Sequence, residues 1–111
     1  MTDTIAIANW ASELQAFTHR NAGRRTVLEI DVSDVGAQQE ESDYPLKGVV
    51  FDARDDRVQI MLGEEGSLER RLTHSVGSAT RIDVLRGEDG KDAALCIVHA
   101  GGQTLLRFLK R

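Results

Sequence analysis

The stretch PLKGVVFDARDDRVQIML, Pro45 to Leu62, decides how the rest of the chain is read. Short apolar runs stand on either side of Arg54-Asp55-Asp56, which is the pattern of two β-strands joined by a charged turn. Aspartate favours such turns because its carboxylate accepts from nearby backbone amides. The same grammar continues downstream. The runs LKGVVFDA, RVQIML, LERRLTHSV, TRIDVLR, AALCIVHA and TLLRFL are separated by RDD, GEEGS, GSA, GEDGKD and GGQ. Strand-length runs at this spacing predict an antiparallel meander, closed or nearly closed into a small barrel.

Upstream, the period changes. Trp10, Leu14 and Phe17 fall at i, i+4 and i+7, so they share one face of a helix from about Asn9 to Asn21. Asn9 is placed to cap its free amides, and Glu13 stands near its positive end. His19, Arg20 and Asn21 followed by Gly23 supply a cationic last turn and a left-handed stop. Ile5 and Ile7 alternate with Ala6 in a short extended arm ahead of it. After Gly23, RRTVLEIDV places Leu28, Ile30 and Val32 on one face and Glu29 and Asp31 on the other, as in a half-buried strand. The segment SDVGAQQEESDYP loses this alternation and reads as a long acidic loop. The predicted class is mainly β (α+β): an N-terminal helix, packed by Trp10, Leu14 and Phe17, followed by a six- to seven-stranded meander or small barrel. It forms a single domain over 1–111, with arm and helix in about 1–22 and the barrel-like region in about 24–109.

Bulk properties narrow the function. At 111 residues there is room for one core. A hydrophobic fraction of 41% and a charged fraction of 29% are those of a globular chain, so disorder is not expected. The formal charge of −4 disfavours RNA or DNA as a partner, because phosphate-neutralising domains carry an excess of Lys and Arg. The lone Cys96 has no disulfide partner within the chain, which fits a reducing compartment. With no apolar run of membrane-spanning length and no basic-then-apolar leader, the expected location is cytoplasmic.

Two resemblances rest on quoted residues. Across nearly its whole length, through Trp10, VLEIDVSDVGAQ, PLKGVVFD, IMLG, LTHSV and TLLRF, the chain resembles an uncharacterised bacterial family of unknown function. That resemblance implies no activity and no catalytic residues. From about Leu46 to Leu85 it also resembles, in architecture, the Sm-like RNA-binding barrels. Gly48, Asp52 and His74 take the places of that family's strand glycine, hairpin aspartate and late-strand histidine, which implies a nucleic-acid-binding barrel.

Candidate chemistry is thin. DARDDR holds Asp52, Asp55 and Asp56, but Arg54 and Arg57 occupy positions where a Ca²⁺ loop needs a ligand and a glycine, so it reads as a solvated turn. His99 and Cys96 are three apart on a predicted strand and point to opposite faces, and His74 follows the parity of Leu72 and Val76, facing inward or lining a rim. No metal and no cofactor are expected. Cys96, between Leu95 and Ile97, reads as a core cysteine, not a nucleophile. GEDGKD lacks the glycine spacing of a phosphate loop, and its acids oppose phosphate. The basic groups Arg20, Arg24 and Arg25, then Arg70 and Arg71, then Arg107, Lys110 and Arg111 read as solvated surface charge, or, if the strands bring them to one face, as a patch that contacts an acidic partner or a phosphate backbone. Arg70 shares parity with Leu68, Leu72 and His74, so its head must reach solvent or a buried acid. The last strand is apolar on both faces, Leu105 and Leu109 against Leu106 and Phe108. It is therefore either covered or an edge that pairs with a second copy.

The expected function is a non-enzymatic binding or scaffold module that contacts a protein partner or itself, with Arg54, Arg57, Arg70 and His74 as possible contact residues. The alternative is an Sm-like nucleic-acid binder using the loops around Arg54, Arg57 and His74.

Overall fold

In the computed structural model, the described residues are 1–32, 36–64 and 71–109, with side chains described outside 32–42. Among them one helix and eight strands succeed each other: β1 (Thr2–Thr4), a single 3-10 turn (Ile7–Asn9), α1 (Trp10–Asn21), β2 (Arg25–Val32), β3 (Gly36–Asp52), β4 (Arg57–Gly63), β5 (Arg71–Gly77), β6 (Ala79–Arg86), β7 (Asp92–His99) and β8 (Gly102–Phe108). All pairings are antiparallel, and the sheet order is β1-β6-β7-β8-β2-β3-β4-β5.

The helix forms where its periodicity places it. Trp10, Leu14 and Phe17 are 2%, 0% and 0% exposed and enter the core with residues from all the longer strands. Trp10 meets Phe51 edge-on at 5.2 Å, and Phe17 packs on Phe108 at 5.7 Å. The start differs from the expectation. Asn9 makes no side-chain cap, because the 3-10 turn ahead of the helix already directs the chain. Ile5 is buried, while Ile7, on that turn, is exposed. The stop is as expected, with Gly23 at φ +86°.

The acidic loop expected over Ser33–Pro45 is not a loop from Gly36 onward. It is the first half of β3, paired residue by residue with β2 from Val32↔Gly36 to Arg25↔Pro45. Backbone ladders need no apolar alternation, and a polar run pairs when a strong strand lies beside it. Bulges break the register, one at Asp43, which has φ +61°. Past Pro45, β3 leaves β2 and pairs with β4, Phe51↔Val58 being one rung. The flank that β2 gives up is taken by the helix. Thr18 Oγ1 accepts from the Val49 amide at 2.9 Å, and the Gly23 amide donates to Leu46 O. Gly48 has no side chain where Thr18 Cγ2 would stand 3.4 Å from a Cβ, which lets the helix lie close.

Two further expectations are corrected. There are eight strands instead of six or seven, the added one being β1, while the polar segment from Gly36 lengthens β3. The sheet is also not a single closed meander. β2-β3-β4-β5 and β6-β7-β8 are two meanders joined by the β2–β8 ladder, such as Leu28↔Leu106. GSA is therefore a corner and not a hairpin. Only Ser78, at φ +54°, separates β5 from β6, which lie at or next to opposite ends of the sheet. One residue spans no more than ~3.6 Å, so the sheet must roll until those ends meet. Yet among the described residues no ladder joins β5 to β6 or β1, and the sheet stays open. β8 lies between β7 and β2, with partners along both edges, so it offers no edge to a second copy. Its two apolar faces belong to an interior strand.

Candidate functional site

At the C-terminal end of α1 lies a cleft of about 800 Å³ whose charged lining is Arg20, Arg24, Arg25, Arg86, Lys91 and Asp92. Four elements build it. Arg20 comes from the last helical turn. The left-handed Gly23 turns the chain so that Arg24 and Arg25 follow at the start of β2. Arg86 ends β6, and Asp92 opens β7 as its cross-strand partner. A bulge at Ala93 separates the Leu85↔Ala94 rung from Arg86↔Asp92. Bulges re-aim side chains, and this one accompanies the turn of the carboxylate toward the helix end.

Asp92 is the anchor. Its side chain is 3% exposed, and it accepts from Arg20 Nε at 2.9 Å and Asn21 Nδ2 at 2.7 Å, with Arg86 Nε 3.3 Å from its other oxygen. Asn21, itself buried, also donates to Phe17 O and accepts from Arg24 Nη1. Arg24 Nη1 reaches the Asp92 backbone carbonyl as well, at 2.8 Å, and its guanidinium lies 4.2 Å over the Phe108 ring. Burial pushes the Asp92 carboxyl up, but the hydrogen bonds from Asn21 and Arg20 and the charges of Arg20 and Arg86 outweigh it. The group is held below the ordinary carboxylate value. It is an ionised structural pin, not a proton carrier near neutral pH.

Charge around this pin is uneven. Arg86 also pairs with Asp3 of β1, and Arg25 with Asp43 and Glu64. Among the described residues, Arg24 and Lys91 meet no carboxylate. Arg20 and Arg86 share one. The cleft is thus cationic within a chain of net charge −4.

The residues expected to make contacts are not gathered here. Arg54 is on the exposed β3–β4 turn, where Asp52 Oδ1 accepts from the Arg54 amide at 3.1 Å. Arg57 follows that turn and faces Asp52 at 3.7 Å and Asp55 at 3.6 Å, the ion-paired turn the sequence indicates. His74 is half-buried on β5, opposite Ile60, on the inward parity of Leu72 and Val76. It stands three rungs from Arg57. Arg70 lies outside the described residues. Cys96 departs from its core reading: it is half-buried on the face opposite Leu95 and Ile97, with Sγ 3.3 Å from Gln103 Oε1. Burial and the Asp83 charge push its thiol up, against a smaller pull from Arg81. Among the described residues, no three His, Cys, Asp or Glu side chains converge as a metal site, and no helix is long and apolar enough to cross a membrane.

The sequence groups Arg20, Arg24 and Arg25 as basic charge without marking a cleft, and their spacing does not single out Arg86, Lys91 and Asp92 as partners. One signal was present. In RGEDGKD, an arginine ending one apolar run and an aspartate opening the next flank a hairpin turn, and such residues face each other across the ladder.

Fold and cleft define a small, mainly β protein with one helix docked on an open, rolled sheet and a cationic cleft at the helix end. The chain belongs to the family described as Family of unknown function (DUF5335), which it matches over residues 1–111. No curated protein and no solved structure matches it significantly.

Proposed function

We propose that this protein is a non-enzymatic binding module whose ligand enters the cationic cleft around Asp92. The observation that carries this reading is the imbalance at the cleft: five cationic side chains line it around a single buried carboxylate. Of these five, Arg20 and Arg86 bond the Asp92 carboxylate and Arg25 pairs with Asp43 and Glu64, which leaves Arg24 and Lys91 as cations without a carboxylate partner among the described residues. Fixed donors facing a concave surface are what a binding site for an anion needs. A non-catalytic role fits the state of the titratable groups. Asp92 is locked ionised, and the Cys96 thiol is shifted away from reactivity. The lone free thiol also fits the reducing cytoplasm.

The test is a titration of isotope-labelled full chain with a panel of small mono-, di- and trianions, followed by amide shifts. Saturable shifts centred on Asn21, Gly23, Gly90 and Lys91 support the reading. Shifts scattered over the surface, or none, end it.

A second reading, contact between copies of the chain, draws on a different observation. Among the described residues β5 pairs with β4 alone, which leaves a seven-residue strand with one open edge. Pairing through that edge would replace the route through β8. A single monomeric mass in sedimentation across a wide concentration range would remove it.

A further inference from the structure

We infer that the ligand of the cleft is a phosphorylated small molecule, its phosphoryl group seated among Arg20, Arg24 and Lys91 and its organic part lying toward Leu109; this rests on the cleft being the ligand site. The donors come first. Arg20 uses only Nε on Asp92, and Arg24 only Nη1 on Asn21 and Asp92. Among the described residues both Nη atoms of Arg20, the Nε and Nη2 of Arg24 and the Lys91 ammonium have no hydrogen-bond partner. They arrive from the helix end, the turn after it and the β6–β7 turn. A flat carboxylate satisfies one guanidinium fork, whereas a phosphate monoester carries about −1.5 to −2 charges and three acceptor oxygens in a pyramid. Donors from three elements and two cations without carboxylate partners fit the latter.

The rim then selects for compactness. Asp3, Asp43 and Glu64 stand outside the cleft, paired with Arg86 and Arg25. A nucleic-acid strand or an acidic peptide running out of the cleft would pass these carboxylates, and a compact anion held at the centre would not. Glu88 and Asp89, on the turn beside Lys91, do not line the cleft, and Asp89 Oδ1 accepts from the Lys91 amide. A volume of about 800 Å³ exceeds what a bare phosphate requires and falls in the range of small-molecule sites. Leu109, half-buried, supplies an apolar wall.

The experiment is calorimetric titration of the full chain, at constant ionic strength, with glycerol phosphate, inorganic phosphate, citrate and a single-stranded RNA oligonucleotide. The expected result is saturable glycerol phosphate binding, weakened about tenfold or more by Lys91→Gln and by Arg24→Gln, with Arg54→Gln unchanged. Lys91 is exposed, so its variant tests the site even if Arg24→Gln unfolds. Inorganic phosphate binding more tightly than the ester overturns the organic part of the assignment. Citrate or RNA binding with the same Lys91 dependence, and no phosphate binding, overturns the ligand class but leaves the cleft standing. No binding by any probe, or binding indifferent to Lys91→Gln, overturns both.

Discussion

Arg20 and Asp92 stand 72 residues apart in sequence, yet Arg20 Nε lies 2.9 Å from Asp92 Oδ2 and ties the end of the helix to the start of β7. The contact joins the first meander's entry to the second meander, at the place where the cationic cleft opens. Its consequences for stability and for binding are separable.

Removing the carboxylate leaves Arg20, Asn21 and Arg86 facing one another without their shared acceptor. Asp92→Ala is expected to destabilise the protein by on the order of 2 kcal/mol. That is less than the roughly 3–5 kcal/mol of a fully buried pair, because Arg20 and Arg86 are 42% and 32% exposed and water takes part of the load. Urea denaturation checks this; an unchanged midpoint would mean that the pin holds nothing.

The same group sets an acid limb. Folding lowers the Asp92 carboxyl below its ordinary 3.8, so the unfolded chain binds the proton first. The stabilisation is fully present above about pH 4 and is lost as pH falls through the folded value. Asp92→Asn should flatten that part of the stability–pH curve. A curve that keeps its slope in the variant would assign the limb to other carboxylates.

Where β3 parts from β2, the helix completes its hydrogen bonding through one hydroxyl. Thr18→Val keeps the shape but orphans the Val49 amide, and should cost about 1–3 kcal/mol. Thr18→Ser retains the acceptor and should lose less. Thermal unfolding of the pair decides it, and equal losses would show that only packing matters there.

Cys96 should be a slow thiol. Burial, then the Asp83 charge, raise it above the ordinary 9.0 against the pull of Arg81. Alkylation of the folded protein is expected to run slower than that of a cysteine peptide at pH 8 and still to accelerate above pH 9.0. A rate that levels off below that pH would contradict the assignment.

Local patterns made some of this legible in the sequence. Trp10, Leu14 and Phe17 define the helix face by period alone, and Asp52 with Arg54 and Asp55 defines the turn by its own chemistry. What the sequence hides is long-range pairing. The polar half of β3 becomes a strand only because β2 lies beside it, and Ser78 becomes a corner only because the sheet rolls. The cleft is hidden for the same reason. Arg20, Arg24 and Asp92 acquire meaning through a juxtaposition across some 70 residues, and each alone reads as ordinary surface charge.

The most direct test of the cleft is to reverse one charge that holds no structure. Lys91→Glu removes an exposed ammonium with no side-chain partner among the described residues, so its unfolding midpoint should match the unmodified chain. Its affinity for glycerol phosphate, measured by calorimetry beside the unmodified chain, should fall beyond detection. An equal affinity in the folded variant would contradict the account.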